Sequence, residues 1–434
     1  MTAVADPASS PEYWGLPGSR IGRRLTLWAA AARVAARYGV GQIPLPRQAF
    51  LTSSDVTAWA HEAGARDLYR TAVHLRGGFL KLGQFASGRP DLLPDAYVHH
   101  LSKLQDRVPP APAAAITRVI ETDVGPVDEL FGTFDGDSAS AASLAQVHRA
   151  TRRDDGRPVA VKVQYPGVTE IVPGEMRDTR RILESVAGVV KGIGLDTIAR
   201  ALEHTVLQEL DYVHEAANIE RFAANFADEP AIVVPSVHHD ISAGRVLVMD
   251  WIDGENLALA LRRVDHETAE EAARLLMDAY LKQILVDGFL HADPHPGNFL
   301  LQPGPRLGVV DFGACAAMAE TTRLQLRRVY EAGLRADLPD LVVGLHELGL
   351  RTASGDPDGL LGWATLFDFD PNVDPEAREM NFRRLVSAAR NDPVVHIPPE
   401  LVMLGRVLIV QAGLVSQIRP SWSIDDLVAA RLGA

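Results

Sequence analysis

Four polar motifs, each set beside an apolar run, follow one another in order between residues 158 and 313. They are "PVAVKV" with Lys162, "QELDYVHEAANIE" with Glu209, Asp211 and Glu215, "HADPHPGN" with His291, Asp293 and Asn298, and "VVDFGA" with Asp311. The apolar runs around Lys162 and before Asp311 predict strands, and the acid-bearing segment between them follows a helical period. Short strands followed by long helical stretches, with the polar motifs between them, restrict the chain to an α+β body in two lobes.

The rest of the chain fits that frame. Residues 1–19 scatter Pro, Ser and Gly among acids and read as disordered. Residues 19–39 ("SRIGRRLTLWAAAARVAARYG") predict a basic amphipathic helix that packs on the protein or lies on an anionic membrane. Residues 45–54 read as a linker, and 56–88 and 95–105 as helices. "SLAQVHRATRRDDGRPVAVKVQYPG" predicts a hairpin turning at Asp-Asp-Gly. Helix returns over 169–227, and "AIVVPSVHHD" and "GRVLVMDWIDG" give two more strands. From 256 on the pattern is helical, apart from two short strands in "NFLLQPGPRLGVVDFG". The apolar stretch 401–418 carries Arg406 and Gln411 and reads as a buried helix. The C-terminal helices are expected to pack internally, with homodimer or membrane contact as the alternatives. The expected divisions are 1–55, 56–115, 116–255 and 256–434.

Net charge and cysteine usage narrow the partners. A formal charge of −13 argues against nucleic-acid binding. One cysteine, Cys315, excludes an intrachain disulfide and fits a reducing cytosol. The start, "MTAVADPASSPEYW", has no basic segment leading into an apolar run, so no secretory signal is expected. The reading is cytoplasmic, with peripheral membrane contact open.

The motifs carry the needs of phosphoryl transfer: metal ligands, a cation on the phosphates and a carboxylate beside the nucleophile. Lys162 would meet the α- and β-phosphates of ATP or ADP, with a carboxylate partner on the following helix. Asp211 and Glu215, four apart, are expected on one face of that helix, with Glu209 turned away. His291, Asp293 and Asn298 have the spacing of a catalytic loop, with Asp293 as base or orienting carboxylate. Asn298 and Asp311 offer oxygen ligands to Mg2+. His148 and His295, taken alone, read as structural histidines. No long segment or A-P-E sequence follows "DFG", so the usual platform for a protein substrate is missing.

"FLKLGQFASGRPDLLPDAYVHHLSKLQDRVPP", "SAASLAQVHRA", "ELD", "HADPHPGN" and "DFG" together resemble the UbiB-like family of atypical kinases, over about residues 60 to 345. The resemblance implies a two-lobed protein-kinase-like fold, with a helical K-x-G-Q extension over the active site. It assigns Lys81, Gly83 and Gln84 to the K-x-G-Q motif and Ser140, Ala141, Ala142 and Ser143 to an alanine-rich nucleotide loop. Glu209 and Asp211 become the E-x-D acids, and Glu215 the partner of Lys162. Lys81 is expected to contact Glu209, and Gln84 to border the nucleotide. Without the resemblance, the C-terminus of a helix at Lys81 and Gly83 would be an equally good reading. The chain departs from the family's usual run at Ser140 and Ala145, where nucleotide binding is expected to be altered.

The implied function is a Mg-dependent kinase or ATPase in quinone or isoprenoid-lipid metabolism, with a lipid or quinone-precursor ligand. Two alternatives compete with it. A small-molecule kinase of the aminoglycoside or choline type shares a similar catalytic loop but lacks the K-x-G-Q helix. The other is a non-catalytic nucleotide-binding scaffold for lipid-modifying enzymes.

Overall fold

The computed structural model describes residues 19–41, 53–75, 77–87, 94–104, 110–187, 203, 206–363, 380, 383, 387–388 and 390–433. The stretch expected to be disordered, up to residue 18, and most of the 45–54 linker lie outside the described residues. The chain divides into two compact units: Met1–Ala216 with Val237–Trp251, and Ala217–Ser236 with Ile252–Ala434.

The first unit is built on an antiparallel sheet. Its strands are β1 (Phe131–Phe134), β2 (Ser140–Ala141), β3 (Ala145–Arg152), β4 (Pro158–Gln164) and β6 (Val246–Asp250), in the order β1–β3–β4–β6, with β2 also paired to β3. The expected hairpin joins β3 to β4, and Gly156 in its turn takes φ 72, a region open to glycine. Side chains alternate across a strand. Val159, Val161 and Val163 of β4 therefore enter the core together with Val246 and Val248 of β6. Lys162, out of phase with them, belongs to the opposite face.

Helices of the first unit are α1 (Arg20–Gly41), α2 (Ser53–Leu75), α3 (Gly77–Ser87), α4 (Asp95–Leu101), α5 (Ala113–Asp123), the single turn α6 (Val127–Leu130) and α7 (Val168–Ala187). Ile116, Val119 and Ile120 of α5 and Val172 and Met176 of α7 close the sheet core. Ala65, Ala72, Tyr97, Leu101 and Leu104 make a second cluster. Helix α3 holds the two together, with Leu82 inside the first and Phe79 packed against both. Gly83 does not end a helix, because α3 runs on to Ser87. It lies instead where Leu104 leaves no room for a β-carbon.

The second unit contains the sheet β5 (Ile232–Val233), β10 (Arg306–Val309), β9 (Phe299–Gln302), β7 (Glu255–Asn256), in that spatial order. Two ribbons add to it, β8 (Phe289–His291) with β11 (Cys315–Ala317) and β12 (Arg351–Thr352) with β13 (Val394–His396). Helix α8 (Tyr212–Asn225) begins in the first unit and ends in the second. The remaining helices are α9 (Leu257–Ala260), α10 (His266–Lys282), α11 (Glu320–Leu334), α12 (Leu338–Glu347), α13 (Pro399–Ile418) and α14 (Ile424–Leu432). Asp265, Asp337 and Ser423 each accept a backbone N–H at the start of α10, α12 and α14.

Helix α13 corrects the expectation of a buried helix. Leu404, Val407, Leu408, Gln411 and Val415 are buried, but Val402, Ile409 and Val410 are exposed, Ile409 by 70%. Among the described residues it is the one helix long and apolar enough to cross a membrane, by length and composition, and 28% of that window is buried.

Helix α1 is fastened to α7 by Arg23, whose Nε donates to Glu175 Oε1 at 2.6 Å, both side chains being buried. Burial pushes the Glu175 carboxyl up from 4.5 to about 7, against the pull of Arg23 and of the Gly78 backbone N–H. Between those values the folded protein keeps a proton that the unfolded chain has lost, so this group's contribution to stability falls as pH rises. Glu175→Gln starts below the parent chain because buried Arg23 loses its carboxylate partner, but its stability relative to the parent is expected to rise by up to about 3 kcal/mol as pH goes from 4.5 to 7.5. Urea melts across that range measure it, and a difference independent of pH would contradict it. Gly83→Ala is expected to cost about 1–3 kcal/mol by overpacking against Leu104, read from the same melts.

Candidate functional site

In the first unit, Lys162 Nζ donates to both oxygens of Glu215, at 2.6 and 2.9 Å. The Glu215 side chain is 1% exposed and that of Lys162 13%, and the ammonium stands 5.4 Å from the Tyr212 ring centroid. A carboxylate this deep is tolerable only when paired and hydrogen-bonded. Asp211 does not share a helix face with Glu215, as its spacing had suggested. It precedes the first turn of α8, and its Oδ1 accepts the His214 N–H at 2.9 Å. An aspartate there satisfies an open helical donor and complements the helix dipole. It thus fixes where α8 begins, and with that the position of Glu215.

Lys81 of α3 pairs with Glu209 at 2.5 Å, each side chain about a quarter exposed. Gln84 lies on the same helix, but its side chain is outside the described residues. Ser140 and Ala141 are strand residues opposite Val147 and Gln146, and the Ala142 N–H closes the turn on the Ala145 carbonyl at 2.8 Å. None of the residues from Ser140 to Ala145 has a positive φ. The backbone of this turn therefore needs no glycine. Ser140 and Ala142 are exposed and Ser143 is buried.

Beside this turn lies a network that the sequence reading missed. Gln146, 1% exposed, accepts the Ala111 N–H at 2.7 Å and donates to the Ala111 carbonyl at 3.3 Å. Its amide also meets His148 Nε2 at 2.6 Å, while His148 Nδ1 lies 2.8 Å from the Asp135 carbonyl. Burial lowers the His148 pKa, so the ring is neutral and structural. The available signal was two polar residues, 146 and 148, at positions where strand alternation calls for apolar ones.

In the second unit, β9 and β10 pair Phe299 with Val309, and the Val310 N–H reaches the Asn298 carbonyl at 2.9 Å. This register sets Asn298 opposite the residue before Asp311. Asn298 Nδ2 donates to Asp293 Oδ2 at 2.9 Å, which leaves the amide oxygen as the atom for a cation. Asp311 is exposed and takes φ 65, a left-handed conformation that aspartate tolerates better than most residues. Its carbonyl accepts from His291 Nε2 at 2.8 Å, and the His291 N–H is in turn taken by Gln283 Oε1 at 2.7 Å. Asn218 Nδ2 donates to the Phe312 carbonyl at 3.0 Å. His291 is fully buried, with its ring edge-on to those of Phe222 and Phe312. It therefore shapes the loop rather than facing solvent. His295 caps the turn at Gly297 through Nδ1, 3.0 Å from the N–H.

Two residues of α13 approach the loop. Arg406 lies 3.9 Å from Asp293, and Gln411 Nε2 donates to the Pro294 carbonyl at 3.5 Å. The sequence reading had taken both only as interruptions of an apolar run.

The oxygens of Asn298 and Asp311 suit a hard cation. Among the described residues no group of three or more His, Cys, Asp or Glu could hold a metal. Magnesium keeps several waters and takes only one or two protein oxygens plus phosphate, so two oxygens of this kind would be enough to hold it.

A family model described as ABC1 atypical kinase-like domain matches residues 103–342. Protein ACTIVITY OF BC1 COMPLEX KINASE 1, chloroplastic, from Arabidopsis thaliana is 30% identical over 386 residues, or 85% of this chain and 56% of that protein. ACTIVITY OF BC1 COMPLEX KINASE 8, chloroplastic, from the same plant is 36% identical over 304 residues, or 67% of this chain and 39% of its own length. The chain thus spans about two fifths to just over half of these relatives. The structure of the Rv3197–erythromycin complex from Mycobacterium tuberculosis matches with a TM-score of 0.61 at 28% identity, covering 87% of this chain and 98% of that one. The fold is the two-lobed α+β class that the motifs imply.

Lys162→Met is expected to cost about 3–5 kcal/mol, since Glu215 stays buried with its cation gone. Lys162→Met with Glu215→Leu should recover most of that loss. A double-mutant cycle by urea denaturation tests the coupling, and strict additivity would contradict it.

Proposed function

Because the chain belongs to the ABC1 atypical kinase-like family, we propose that it binds a magnesium nucleotide and acts as an atypical kinase or ATPase in quinone or other isoprenoid-lipid metabolism. The observation that carries this reading is the Lys162–Glu215 pair, 2.6 Å long and buried on the glutamate side. Such a pair holds an ammonium in one orientation, which is what recognition of a di- or triphosphate needs.

In this reading Lys162 neutralises the α- and β-phosphates. The turn from Ser140 to Ser143 covers them, and Lys81, Gln84, Glu209 and Asp211 border the nucleotide. The Asn298 amide oxygen and the Asp311 carboxylate hold the metal. Magnesium, when bound, neutralises charge on the phosphate oxygens. Asp293, oriented by Asn298, accepts a hydrogen bond from the attacking hydroxyl or water.

A small acceptor, or water, is favoured over a peptide. Between Gly313 and the start of α11 at Glu320 the chain has room only for β11, too little for a peptide-binding platform. The solved relative holds erythromycin, which supports a small-molecule ligand for this chain as well.

Asp311→Asn keeps the shape of the side chain and removes its charge. It is expected to lower Mg-dependent ATP turnover on the order of 100-fold. Asp293→Asn should lower turnover while leaving ADP binding in place. The checks are phosphate release and nucleotide-induced thermal shift, with and without magnesium. Unchanged turnover in both variants would remove the catalytic assignment, and an unchanged quinone profile on deletion of the protein would remove the pathway.

A further inference from the structure

The two faces of α1 differ in kind. The inward face is committed to the protein. Arg23 pairs with Glu175, Arg37 Nη1 donates to Asp67 Oδ2 at 2.5 Å and to the Ala63 carbonyl at 3.0 Å, and Leu27 and Ala30 are buried. The outward face carries Ile21, Leu25 and Trp28, exposed by 73%, 65% and 39%, and continues through exposed Ala29, Ala32 and Ala36. At about 100° per residue these six positions fall in one sector of the helix. Arg24 and Arg33 border that sector on opposite sides, with side chains 53% and 51% exposed. Each also touches an acid of the protein, Asp178 at 3.3 Å and Asp67 at 3.5 Å. A guanidinium has five donors, so one such contact does not exhaust it.

We propose that this face of α1 docks on the surface of an anionic lipid bilayer. The apolar stripe enters the boundary between headgroups and acyl chains, Arg24 and Arg33 bind lipid phosphates, and Trp28 sits at the interface, where indole is favoured. Charge selects this occupant. The chain carries −13 overall, so a basic border round an apolar stripe marks the one side of α1 that an anionic surface attracts. A second copy of the chain would oppose arginine to arginine there and bring the same excess of acid. Because Arg23 and Arg37 tie the inward face down, the helix docks in place, without peeling from α2 and α7. The proposal is independent of the nucleotide reading.

Flotation of the full chain with phosphatidylglycerol vesicles, against pure phosphatidylcholine vesicles, tests it. The parent chain should float with the first and only weakly with the second, and added salt should weaken the binding. Leu25→Glu with Trp28→Glu should lower the affinity about tenfold or more, and Arg24→Gln with Arg33→Gln about fivefold per arginine. All four side chains are exposed, so unchanged melting curves serve as the folding control. As a second measurement, brominated lipid should quench tryptophan fluorescence in the parent and less in Trp28→Phe. Absence of flotation, equal flotation of the Leu25/Trp28 variant, or quenching that ignores Trp28 would overturn the proposal. So would a fall in oligomeric mass in that variant with flotation unchanged, which would assign the face to a second copy.

Discussion

A carboxylate with 1% of its side chain exposed obliges everything around it to supply positive charge and donors. Glu215 gets both from Lys162, and the fold of the first unit can be read as the means of delivering that lysine. Valines at 159, 161 and 163 commit one face of β4 to the core, which sends residue 162 to the other face. Asp211 sets the start of α8 through the His214 N–H, which sets the height of Glu215. The Tyr212 ring takes up one side of the ammonium. An isolated buried pair is weak evidence of stability, and this one is better understood as fixing orientation.

A second constraint governs the loop around Asp311. A non-glycine residue at φ 65 carries local strain, of order 1–3 kcal/mol. It persists here because its own carbonyl is held by His291 and the next carbonyl by Asn218. His291 is held in turn by Gln283, in a wide π turn that closes α10. The motif histidine thus serves the backbone of the aspartate motif twenty residues on.

Periodicity and polar spacing made a good part of this legible. The β3–β4 and β9–β10 hairpins follow from alternation and turn chemistry, whereas the Lys81–Glu209 contact was expected only from the family resemblance. What escaped depended on positions brought together by folding. Asp211 and Glu215 are four apart, which suggests a shared helix face, but spacing cannot tell a helical residue from one that caps the helix. Gln146 and His148 occupy inward strand positions, yet their partners, Ala111 and the Asp135 carbonyl, are not motif residues. The burial of α13 was overestimated because composition reports how apolar a helix is, and not which of its faces meets the protein.

The segment "PPAP", Pro109 to Pro112, contains three residues that have no N–H. Of its four backbone nitrogens only that of Ala111 can donate, and Gln146 takes it while returning a bond to the carbonyl of the same residue. One side-chain amide therefore does the work of a neighbouring strand, for a stretch whose composition bars it from the ladder. A glutamate there, ionised, would still accept but could no longer give. This tether hangs on the one side chain among the natural twenty, other than its shorter homologue asparagine, that offers an amide's two hands at once.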